Sequence, residues 1–546
     1  MGRTVVVLSG SVASGKTTLA KRLRERYGAH HLRTQELLRA RAAAEGLGDL
    51  TSRRALQNYG EELDRRTRGR WVADDLGPLV AGLPDRSVVV VDAIRIAQQL
   101  DALHEAFGRR ITHVHLDADL DVLARRYAQR RDSGLAELGD YALVRADPTE
   151  SQRVPELAGH ADLRIDTATT SESGVLLRCA ARLRLLPPVG EQLVDVVVGA
   201  QYGSEGKGNV CFYLAPEYDV LVRTGGPNAG PWVPTDPPYR HRHLPSGTLS
   251  NAGAELLLGP GSVIDVDVLL AEISACRVDA ERLRIDPAAV VVEPGDALAE
   301  KDLETIGGTG SGAGRAAARR ITARGTYPSG VRLAADVPEL RPYTGARAHD
   351  VLDEAYRTGR RVLLEGTHGT HLSIYHGRYP HVTSRDTTAA ATLSEAGISP
   401  RRVRRVIIVA RTFPTRVEGP SGPLPEELTA AEIADATGLS EAAVAGGAAG
   451  GNGRLAGFDW EGLREAAELN GATDLALTFA DWYDPKNRGV HRFDQLTVPT
   501  IRFIDDLEQV AGCRVSLVST DFARRAVLDR REWRGHVLDP PPDGSF

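Results

Sequence analysis

The chain has 546 residues, of which 42% are hydrophobic and 26% charged, and its formal net charge at pH 7 is −6. This length accommodates two or three globular domains of roughly 100–200 residues each. The charge gives no general attraction to nucleic acid or membrane, and no apolar run approaches the ~20 residues of a membrane helix. We therefore expect neither partner.

The chain begins with MGRTVVVLSGSVASGK, an apolar run that passes directly into a glycine-rich turn. It lacks the charged, apolar and cleavage regions of a secretory signal, so we expect a cytoplasmic protein. The four cysteines are far apart and form no CxxC pair, which predicts neither a disulfide framework nor a structural zinc site. They are Cys179, Cys211, Cys276 and Cys513.

Lysine is rare, because the chain uses arginine for most of its positive charge. The five lysines are Lys16, Lys21, Lys207, Lys301 and Lys486. Two of them, Lys16 and Lys207, lie in glycine-rich loops. A lysine retained against this background indicates a need for a compact ammonium group on a flexible stem.

The first glycine-rich loop follows a β-branched strand and precedes a helix, and it reads GxxxxGK[ST]. In this setting, backbone N–H groups cradle phosphates, Lys16 reaches the β and γ oxygens, and the Thr17 hydroxyl holds Mg²⁺. The alternative is a chance glycine turn, which the strand and helix on either side disfavour. The predicted nucleotide-binding residues are Gly10, Gly15, Lys16, Thr17 and Thr18.

A second apolar strand, SVVVVDAIR, ends at Asp92. Beside a phosphate loop, that position suits an aspartate that orients a metal ion and binds nucleotide. Taken alone, the same run is simply a buried parallel strand.

Three further segments resemble small nucleotide kinases, especially the deoxynucleoside monophosphate kinase and dephospho-CoA kinase-like group. They are LTSRRALQNYGEEL, ITHVHLDADLDVLARRYAQRR and HADLRID, and the resemblance covers about residues 1–188. It implies a nucleotide kinase whose lid arginines clamp the transferred phosphoryl group. The alternative is a solvated helix face. The lid candidates are Arg125, Arg126, Arg130 and Arg131, with Arg126 assigned to nucleotide binding.

A Pro-Pro pair near Pro188 and a new apolar strand after it predict a domain boundary, with domains at 1–188 and 189–546. From Val194 onwards, eight segments resemble adenylosuccinate synthetase in that family's order. They are VVGAQYGSEGKGN, VRTGGPNAG, HLPSG, IGGTGSGAG, LLEGTHGTHLSIYHGRYPHVTSRDTTAA, ARTFPTRVEGPSGPLPEEL, LALTFAD and VSLVSTD. The resemblance implies that GTP phosphorylates the 6-oxygen of IMP and that the amino group of aspartate then displaces phosphate. It also implies Mg²⁺ and a homodimer in which Arg324 is a candidate to reach across.

Individual residues match the family's functional positions. Glu205, Gly206, Lys207 and Gly208 match its nucleotide loop, and Asp481 and Ser519 match its guanine site. The matches around the purine substrate and metal are Asn228, Gly230, Thr309, Gly310 and Thr383. Gly230 and Ser204 stand at metal-binding positions.

Several departures bear on catalysis. Ser204 replaces an aspartate that takes the proton from purine N1 and helps to bind Mg²⁺, and a serine hydroxyl lacks the basicity for that role. Pro231 replaces a histidine and offers no hydrogen-bond donor. The other departures are Asn209, His368, Phe479 and Asp521. In the amino-donor loop, GGAAGGNGRLAGF, Arg454 alone stands in a suitable position, and one guanidinium holds one carboxylate.

Two interpretations are open. The first is an altered ligase: its serine resembles that of phage 2-aminoadenylosuccinate synthetases, which accept a guanine nucleotide, and His368, His371 or His376 supplies acid or base function. Its catalytic set is Ser204, Lys207 and His368. The second is a catalytically impaired synthetase-like domain that binds a purine nucleotide and regulates an active kinase. The retained phosphate-loop lysine favours the ligase.

Apolar strands alternate with helical segments such as AHDVLDEAYRTGRRVLLEG through both halves. We therefore predict an α/β protein of two P-loop-type domains with mostly parallel sheets flanked by helices. The predicted protein is a bifunctional enzyme of purine nucleotide metabolism. It uses GTP and/or ATP with Mg²⁺, and its partners are small-molecule nucleotides and an amino acid.

Overall fold

A computed structural model describes residues 3–47, 50, 52–129, 140–186, 190–300, 307–325, 330–448, 451 and 453–531. The lid candidates Arg130 and Arg131 lie outside this set. The chain divides into two compact units, Met1–Pro187 and Pro188–Phe546. Each is an α/β unit with a parallel sheet flanked by helices, which confirms the predicted fold class.

The N-terminal unit is built on five parallel strands in the order β2-β3-β1-β4-β5. They are β1 (Thr4–Ser9), β2 (His30–Arg33), β3 (Val88–Asp92), β4 (Ile111–Asp117) and β5 (Leu163–Asp166). The valine runs of β1 and β3 are buried on both faces, as expected for a parallel sheet covered by helices on each side.

Helices cover both faces of this sheet. They are α1 (Lys16–Tyr27), α2 (Thr34–Ala44), α3 (Arg53–Thr67), α4 (Trp71–Ala81), α5 (Ala97–Phe107), α6 (Leu120–Ala128), α7 (Tyr141–Arg145), α8 (Val154–Glu156) and α9 (Glu172–Arg182). One core includes residues of α3, α4 and α5, and another includes residues of α1 and α9. The strands β1 and β3 therefore lie between two layers of helices, and the first glycine-rich loop begins at the carboxyl end of β1.

The C-terminal unit has a nine-stranded sheet in the order β12-β10-β7-β14-β6-β15-β19-β20-β21. Its strands are β6 (Val194–Gly199), β7 (Val220–Arg223), β10 (Glu255–Leu258), β12 (Leu283–Ile285), β14 (Val362–Glu365), β15 (Val403–Arg411), β19 (Asp474–Thr478), β20 (Arg514–Ser519) and β21 (Val527–Asp529). All neighbours are parallel except β20 and β21.

Three small sheets accompany it: β8 (Trp232–Val233) with β9 (Tyr239–Arg240), β11 (Val263–Ile264) with β13 (Val290–Val291), and β16 (Thr415–Arg416), β17 (Glu427–Leu428) and β18 (Arg454–Ala456). The helices are α10 (Lys207–Leu214), α11 (Val266–Ala275), α12 (Pro294–Ala299), α13 (Ala313–Thr322), α14 (Ala348–Arg357), α15 (Ala389–Ala396), α16 (Ala430–Thr437), α17 (Glu441–Gly447), α18 (Trp460–Asn470), α19 (Ala480–Tyr483) and α20 (Val498–Ala511).

Two apolar cores lie on the two faces of the large sheet. Alternate residues of β6 belong to different cores: Val196 and Val198 to one, and Val197 to the other. This central strand is completely buried, so its carboxyl end delivers the second glycine-rich loop from a rigid base. Among the described residues, no helix combines the length and apolar character needed to cross a membrane.

Candidate active sites

The first glycine-rich loop leads directly into α1. Gly15 takes a left-handed conformation (φ 98°) before the helix, and Lys16 is the first helical residue. The Lys16 ammonium donates to the backbone oxygens of Gly10 and Ser11 at 2.7 and 2.8 Å. A Cβ atom at Gly10 would lie 2.0 Å from the Leu116 oxygen, so only glycine fits there.

A hydroxyl and a carboxylate meet beside this loop. Thr17 Oγ1 donates to Asp92 Oδ2 at 2.9 Å, and His31 Nε2 lies 3.1 Å from the same oxygen. Burial acts to raise the pKa of Asp92, but His31, Lys16 and Thr17 outweigh it and hold this pKa below its usual value. The pair therefore offers the oxygen ligands that Mg²⁺ prefers, one of them anionic, and the residues fit the predicted metal.

A cleft of about 860 Å³ runs along the loop. Seven predicted residues line it: Gly10, Gly15, Lys16, Thr17, Thr18, Asp92 and Arg126. The Arg126 guanidinium donates to the hydroxyl and carbonyl oxygens of Thr167 at 2.9 and 2.7 Å. Arg125 instead donates to the backbone of Asp121 on an exposed face and does not line the cleft.

The far side of this cleft holds residues that the sequence did not indicate. Asp64 Oδ1 accepts from Trp71 Nε1 at 2.7 Å and from Gln99 Nε2 at 2.9 Å. The Arg95 guanidinium binds Glu150 at 2.7 Å. No local motif links the whole group: Trp71 is only 7 residues from Asp64, but Gln99 is 35 residues from it and Glu150 is 55 residues from Arg95, so the fold assembles them.

The second glycine-rich loop ends as the first does. Gly206 is left-handed (φ 87°), and Lys207 is the first residue of α10. The Lys207 ammonium donates to Glu205 Oε2 at 2.5 Å and also to the backbone oxygen of His368. Glu205 Oε1 accepts from the backbone N–H groups of Gln201 and Gly203 at 3.2 and 2.8 Å. The loop thus contains its own buried counter-ion for the lysine.

Ser204 is exposed at the tip of the loop, in a left-handed conformation with φ 57°. Its backbone oxygen accepts from Arg411 at 3.2 Å. Arg411 is buried between Phe479 and Trp482, whose ring centroids lie 4.1 and 5.2 Å from its Cζ atom, and burial lowers its pKa to about 10. Sequence analysis did not single out Arg411 within the segment ARTFPTRVEGPSGPLPEEL, because a single arginine at the end of an apolar strand has no distinctive pattern.

His368 lies beside Lys207 and faces Asn228, with 3.2 Å between His368 Nε2 and Asn228 Nδ2. Burial, followed by Arg385, Lys207 and Arg223, lowers the pKa of His368 to about 3, so its imidazole is neutral at physiological pH. Within the described part of the chain, His368 Nδ1 and Asn228 Oδ1 are both buried without a hydrogen-bond partner. Such atoms are rare in native proteins and indicate a missing polar partner.

The other two candidate histidines lie elsewhere. The His371 ring contacts the Gly462 oxygen at 3.0 Å and packs against Tyr202, while His376 is exposed. Among the described residues, no hydrogen bond joins either ring to Lys207 or Asn228.

Of the two predicted base-binding residues, Ser519 is linked to the loop through Asn209. The Asn209 Nδ2 donates to Ser519 Oγ at 3.0 Å, and its Oδ1 is buried with no hydrogen-bond partner among the described residues. Asp481 accepts from Arg488 at 3.2 Å. Burial raises the pKa of the Asp481 carboxyl above its usual value. Gly208 lies so close to the chain at Trp232 that a Cβ atom would approach the Trp232 oxygen to 2.6 Å.

The remaining predicted purine residues lie on turns. Thr309 is exposed, Gly310 is left-handed (φ 61°), and the Thr383 N–H donates to the Leu372 oxygen at 2.8 Å. Within the described ranges, no hydrogen bond connects these three to the Lys207 cluster, so their purine-binding role stays a prediction. Arg324, the candidate to reach across a homodimer, lies in a short 3₁₀ turn, and its role also stays a prediction.

The predicted amino-donor arginine is already engaged. The Arg454 guanidinium binds both oxygens of Glu427 at 2.7 and 2.6 Å and the Gly422 oxygen at 2.6 Å. A carboxylate substrate at Arg454 would therefore compete with Glu427.

The metal candidates of the second site differ from those of the first. Ser204 offers a neutral hydroxyl, and the Gly230 oxygen already accepts from Arg240 at 3.1 Å. In the part of the chain that the structure describes, no group of three or more His, Cys, Asp and Glu side chains could hold a metal ion. These two residues alone do not form a Mg²⁺ site, and their metal role stays a prediction.

Family models match both units. The adenylosuccinate synthetase model matches residues 196–333 and 331–488, and a model described as an AAA domain matches residues 9–138. The adenylosuccinate synthetase of Thermococcus onnurineus is 40% identical over 347 residues, which are 62% of this chain and 98% of that protein. The synthetase of Methanococcus aeolicus is 37% identical over 346 residues, which are 62% of this chain and 99% of that protein.

Two solved structures also resemble this chain. The cyanophage S-2L succinoaminodeoxyadenylate synthetase, described as bound to dGMP and to dATP as an energy donor, superposes with a TM-score of 0.52 and 28% identity over 63% of this chain and 96% of that one. The fully ligated adenylosuccinate synthetase of Plasmodium falciparum superposes with a TM-score of 0.51 over 62% of this chain and 100% of that one. Its sequence identity is 19%, so this similarity shows the fold alone. The chain therefore belongs to the adenylosuccinate synthetase family of ligases, with a kinase-like P-loop unit at its N-terminal side.

Proposed function

We propose that the unit comprising residues 189–546 joins an amino donor, most simply L-aspartate, to C6 of a 6-oxopurine nucleotide, either IMP or a guanine nucleotide. GTP or ATP drives the reaction through a 6-phosphoryl intermediate. We assign residues 1–188 to a phosphotransferase that uses the first glycine-rich loop. The protein is then a bifunctional enzyme of purine nucleotide metabolism, placed by this proposal in the cytoplasm as a homodimer.

The observation that carries the ligase proposal is the cluster around Lys207. Its ammonium lies at the start of a helix, next to two buried polar atoms, His368 Nδ1 and Asn228 Oδ1, that have no hydrogen-bond partner among the residues described. A helix N-terminus with a lysine suits a phosphate, and the unpartnered atoms suit the polar edge of a base. A site that had lost its ligand would have little reason to keep both.

The proposed reaction has two steps. The purine O6 attacks the γ-phosphorus, the bond to the β-phosphate breaks, and the nucleoside diphosphate leaves. The amino group of the donor then attacks C6, and the C6–O bond breaks to release phosphate. Lys207 stabilises the charge that develops on the transferred phosphoryl oxygens, which is the main contribution that a protein makes to such steps.

The proton on purine N1 needs an acceptor that Ser204 cannot supply. Glu205 is ion-paired with Lys207, so we assign this role to the neutral His368 imidazole. Its Nε2 accepts from Asn228 Nδ2 at 3.2 Å and becomes free for the proton when that amide turns to the purine. Two of the cations that lower its pKa are Arg385 and Lys207. Anionic phosphates bound beside these cations would raise this pKa and so make His368 a stronger base.

A guanine nucleotide is the favoured substrate of the two. Ser204 is smaller than the aspartate of the family and carries no charge, which leaves room for the 2-amino group of guanine. The 28% identical cyanophage enzyme is described as bound to dGMP, which supports the same choice.

The test is mass spectrometry of reactions containing the full chain, Mg²⁺, ATP and GTP, aspartate, and IMP, GMP or dGMP in turn. We expect a 6-succinylamino purine nucleotide, formed most rapidly from a guanine nucleotide. The Lys207→Ala variant should form it about 10²–10³-fold more slowly. If the wild-type chain forms nucleoside diphosphate but no C6 product under any pairing, the ligase proposal is wrong, and the alternative of a nucleotide-binding regulator of the kinase replaces it.

A further inference from the structure

The cleft of the N-terminal unit has a donor side and an acceptor side. The glycine-rich loop forms the donor side, where the phosphates of a nucleoside triphosphate belong. The acceptor side is formed by helices α3 to α5 and neighbouring segments. Its charged lining residues are Arg33, Glu61, Asp64, Arg95 and Glu150. These residues decide which molecule receives the phosphoryl group.

The acceptor side is poorly suited to a second phosphate. It presents three carboxylates and two guanidinium groups among its described residues. The Arg95 guanidinium is bound to Glu150 at 2.7 Å and lies 3.8 Å from Asp147. Arg33 lies 3.7 Å from Glu36. A phosphorylated acceptor is normally held by arginine forks, whereas carboxylates in this number repel it.

Asp64 has one oxygen fixed and one open. The hydrogen bonds from Trp71 Nε1 and Gln99 Nε2 both end on Oδ1. Oδ2 has no hydrogen-bond partner within the described residues, and the side chain lines the cleft. Burial raises the pKa of Asp64. A carboxylate that is oriented by two donors and open on its other oxygen is arranged to accept a proton from a hydroxyl group.

We propose that the acceptor of the N-terminal unit is an uncharged hydroxyl compound, a nucleoside or a sugar, and that Asp64 Oδ2 accepts the proton of the reacting hydroxyl. This rests on the proposed phosphotransferase function of the unit. The hydroxyl oxygen attacks the γ-phosphorus, the bond to the β-phosphate breaks, and the nucleoside diphosphate leaves. The proton passes to Asp64 and then to solvent. The leucine side chains of Leu38 and Leu56, which also line the cleft, suit the apolar face of such an acceptor.

The decisive variant is Asp64→Asn. Asparagine keeps one oxygen that can accept from Trp71 and Gln99, so the local packing is preserved while the proton acceptor is removed. We expect kcat for the hydroxyl acceptor to fall by about 10²–10⁴-fold with little change in KM for the nucleoside triphosphate. Wild-type activity should decline at acid pH as Asp64 becomes protonated, and the residual activity of Asp64→Asn should not show this decline. Glu105→Gln, which neutralises an exposed carboxylate paired with Arg70, is the matched control and should leave the activity unchanged.

The experiment supplies the full chain with Mg²⁺ and ATP or GTP and offers two acceptor mixtures, one of nucleosides and hexoses and the other of nucleoside monophosphates. Phosphorylation in the first mixture, lost in Asp64→Asn and in Lys16→Ala, supports the proposal. Phosphorylation of monophosphates alone, or an unchanged rate and pH profile in Asp64→Asn, overturns it while the phosphotransferase function stands. If neither mixture is phosphorylated, and Lys16→Ala changes neither triphosphate binding nor hydrolysis, the phosphotransferase function itself fails and the proposal falls with it.

Discussion

The two glycine-rich loops share one backbone plan but secure their lysines differently. In each, a left-handed glycine precedes a helix whose first residue is the lysine. Lys16 donates to the backbone oxygens of its own loop, Gly10 and Ser11. Lys207 donates to the buried Glu205 and to the backbone of a distant segment at His368.

This difference separates two ways of anchoring a phosphate loop. The first loop is contacted by distant residues at Val12, whose N–H donates to Glu150 Oε2 and whose oxygen accepts from Tyr141, both at 3.4 Å. The second is joined to other parts of its unit through Glu205, Arg411 and Asn209. Phosphate binding at Lys207 must therefore change contacts at His368, where the purine edge is proposed to bind.

The largest expected effect comes from exchanging the two lysines for alanine one at a time. Lys207→Ala should lower the rate of C6 product formation by about 10²–10³-fold, because an ammonium group aimed at developing charge is lost. Lys16→Ala should leave that rate unchanged and abolish phosphoryl transfer by the N-terminal unit. Product formation for each variant is followed by mass spectrometry. Loss of both activities in either variant would contradict two separate sites.

The second prediction concerns the counter-ion inside the second loop. Glu205→Gln leaves the Lys207 ammonium buried without its anionic partner, which should lower the free energy of unfolding by about 3–5 kcal/mol. Calorimetry of the full chain measures the loss in the transition of the C-terminal unit. Glu468→Gln, at an exposed pair with Arg464, is the control and should have little effect. Equal effects of the two variants would show that Glu205 is not a structural counter-ion.

The third prediction concerns acid stability. Because the pKa of His368 falls from 6.5 to about 3 on folding, the unfolded chain binds more protons below pH 6.5. Stability should therefore decline as the pH falls from 6.5 towards 3, with His368 contributing up to about 1.4 kcal/mol per pH unit. Urea unfolding at several pH values measures the slope, which should be smaller in His368→Gln. An unchanged slope would mean that His368 is not buried in the neutral form.

The smallest effect is expected at the amino-donor loop. Glu427→Gln weakens an ion pair that competes with a substrate carboxylate for Arg454, so KM for aspartate should fall by about two- to fivefold. Initial rates at varied aspartate concentration measure it. If Arg454→Ala and Glu427→Gln both leave this KM unchanged, Arg454 does not bind the amino donor.

Local patterns predicted the parts of both sites that are contiguous in sequence. A buried strand, a glycine turn and the start of a helix succeed one another over Thr4–Lys16 and again over Val194–Lys207, so both lysines could be placed without knowledge of the fold. The closeness of Thr17 and Asp92 could be expected as well, because Asp92 ends a strand that pairs directly with the strand before the loop, while their metal-binding role stays a prediction.

The groups that the sequence did not reveal are assembled across long stretches of chain. Asp64 depends on donors from two other helices, and Arg411 is buried by rings that follow β19. The engagement of Arg454 by Glu427 was likewise hidden, since the two lie on neighbouring strands of a small sheet. Such contacts depend on topology, which spacing along the chain does not encode.

The most direct test of the account follows the oxygen atom on C6 of the purine. A guanine nucleotide labelled with ¹⁸O at O6 is incubated with the full chain, Mg²⁺, ATP and GTP, and aspartate, and the released inorganic phosphate is analysed by mass spectrometry. A 6-phosphoryl intermediate predicts that the label appears in phosphate in step with the C6 product, and that Lys207→Ala slows both. Label that stays on the purine while nucleoside diphosphate accumulates would show that the second loop binds nucleotide without performing the ligation.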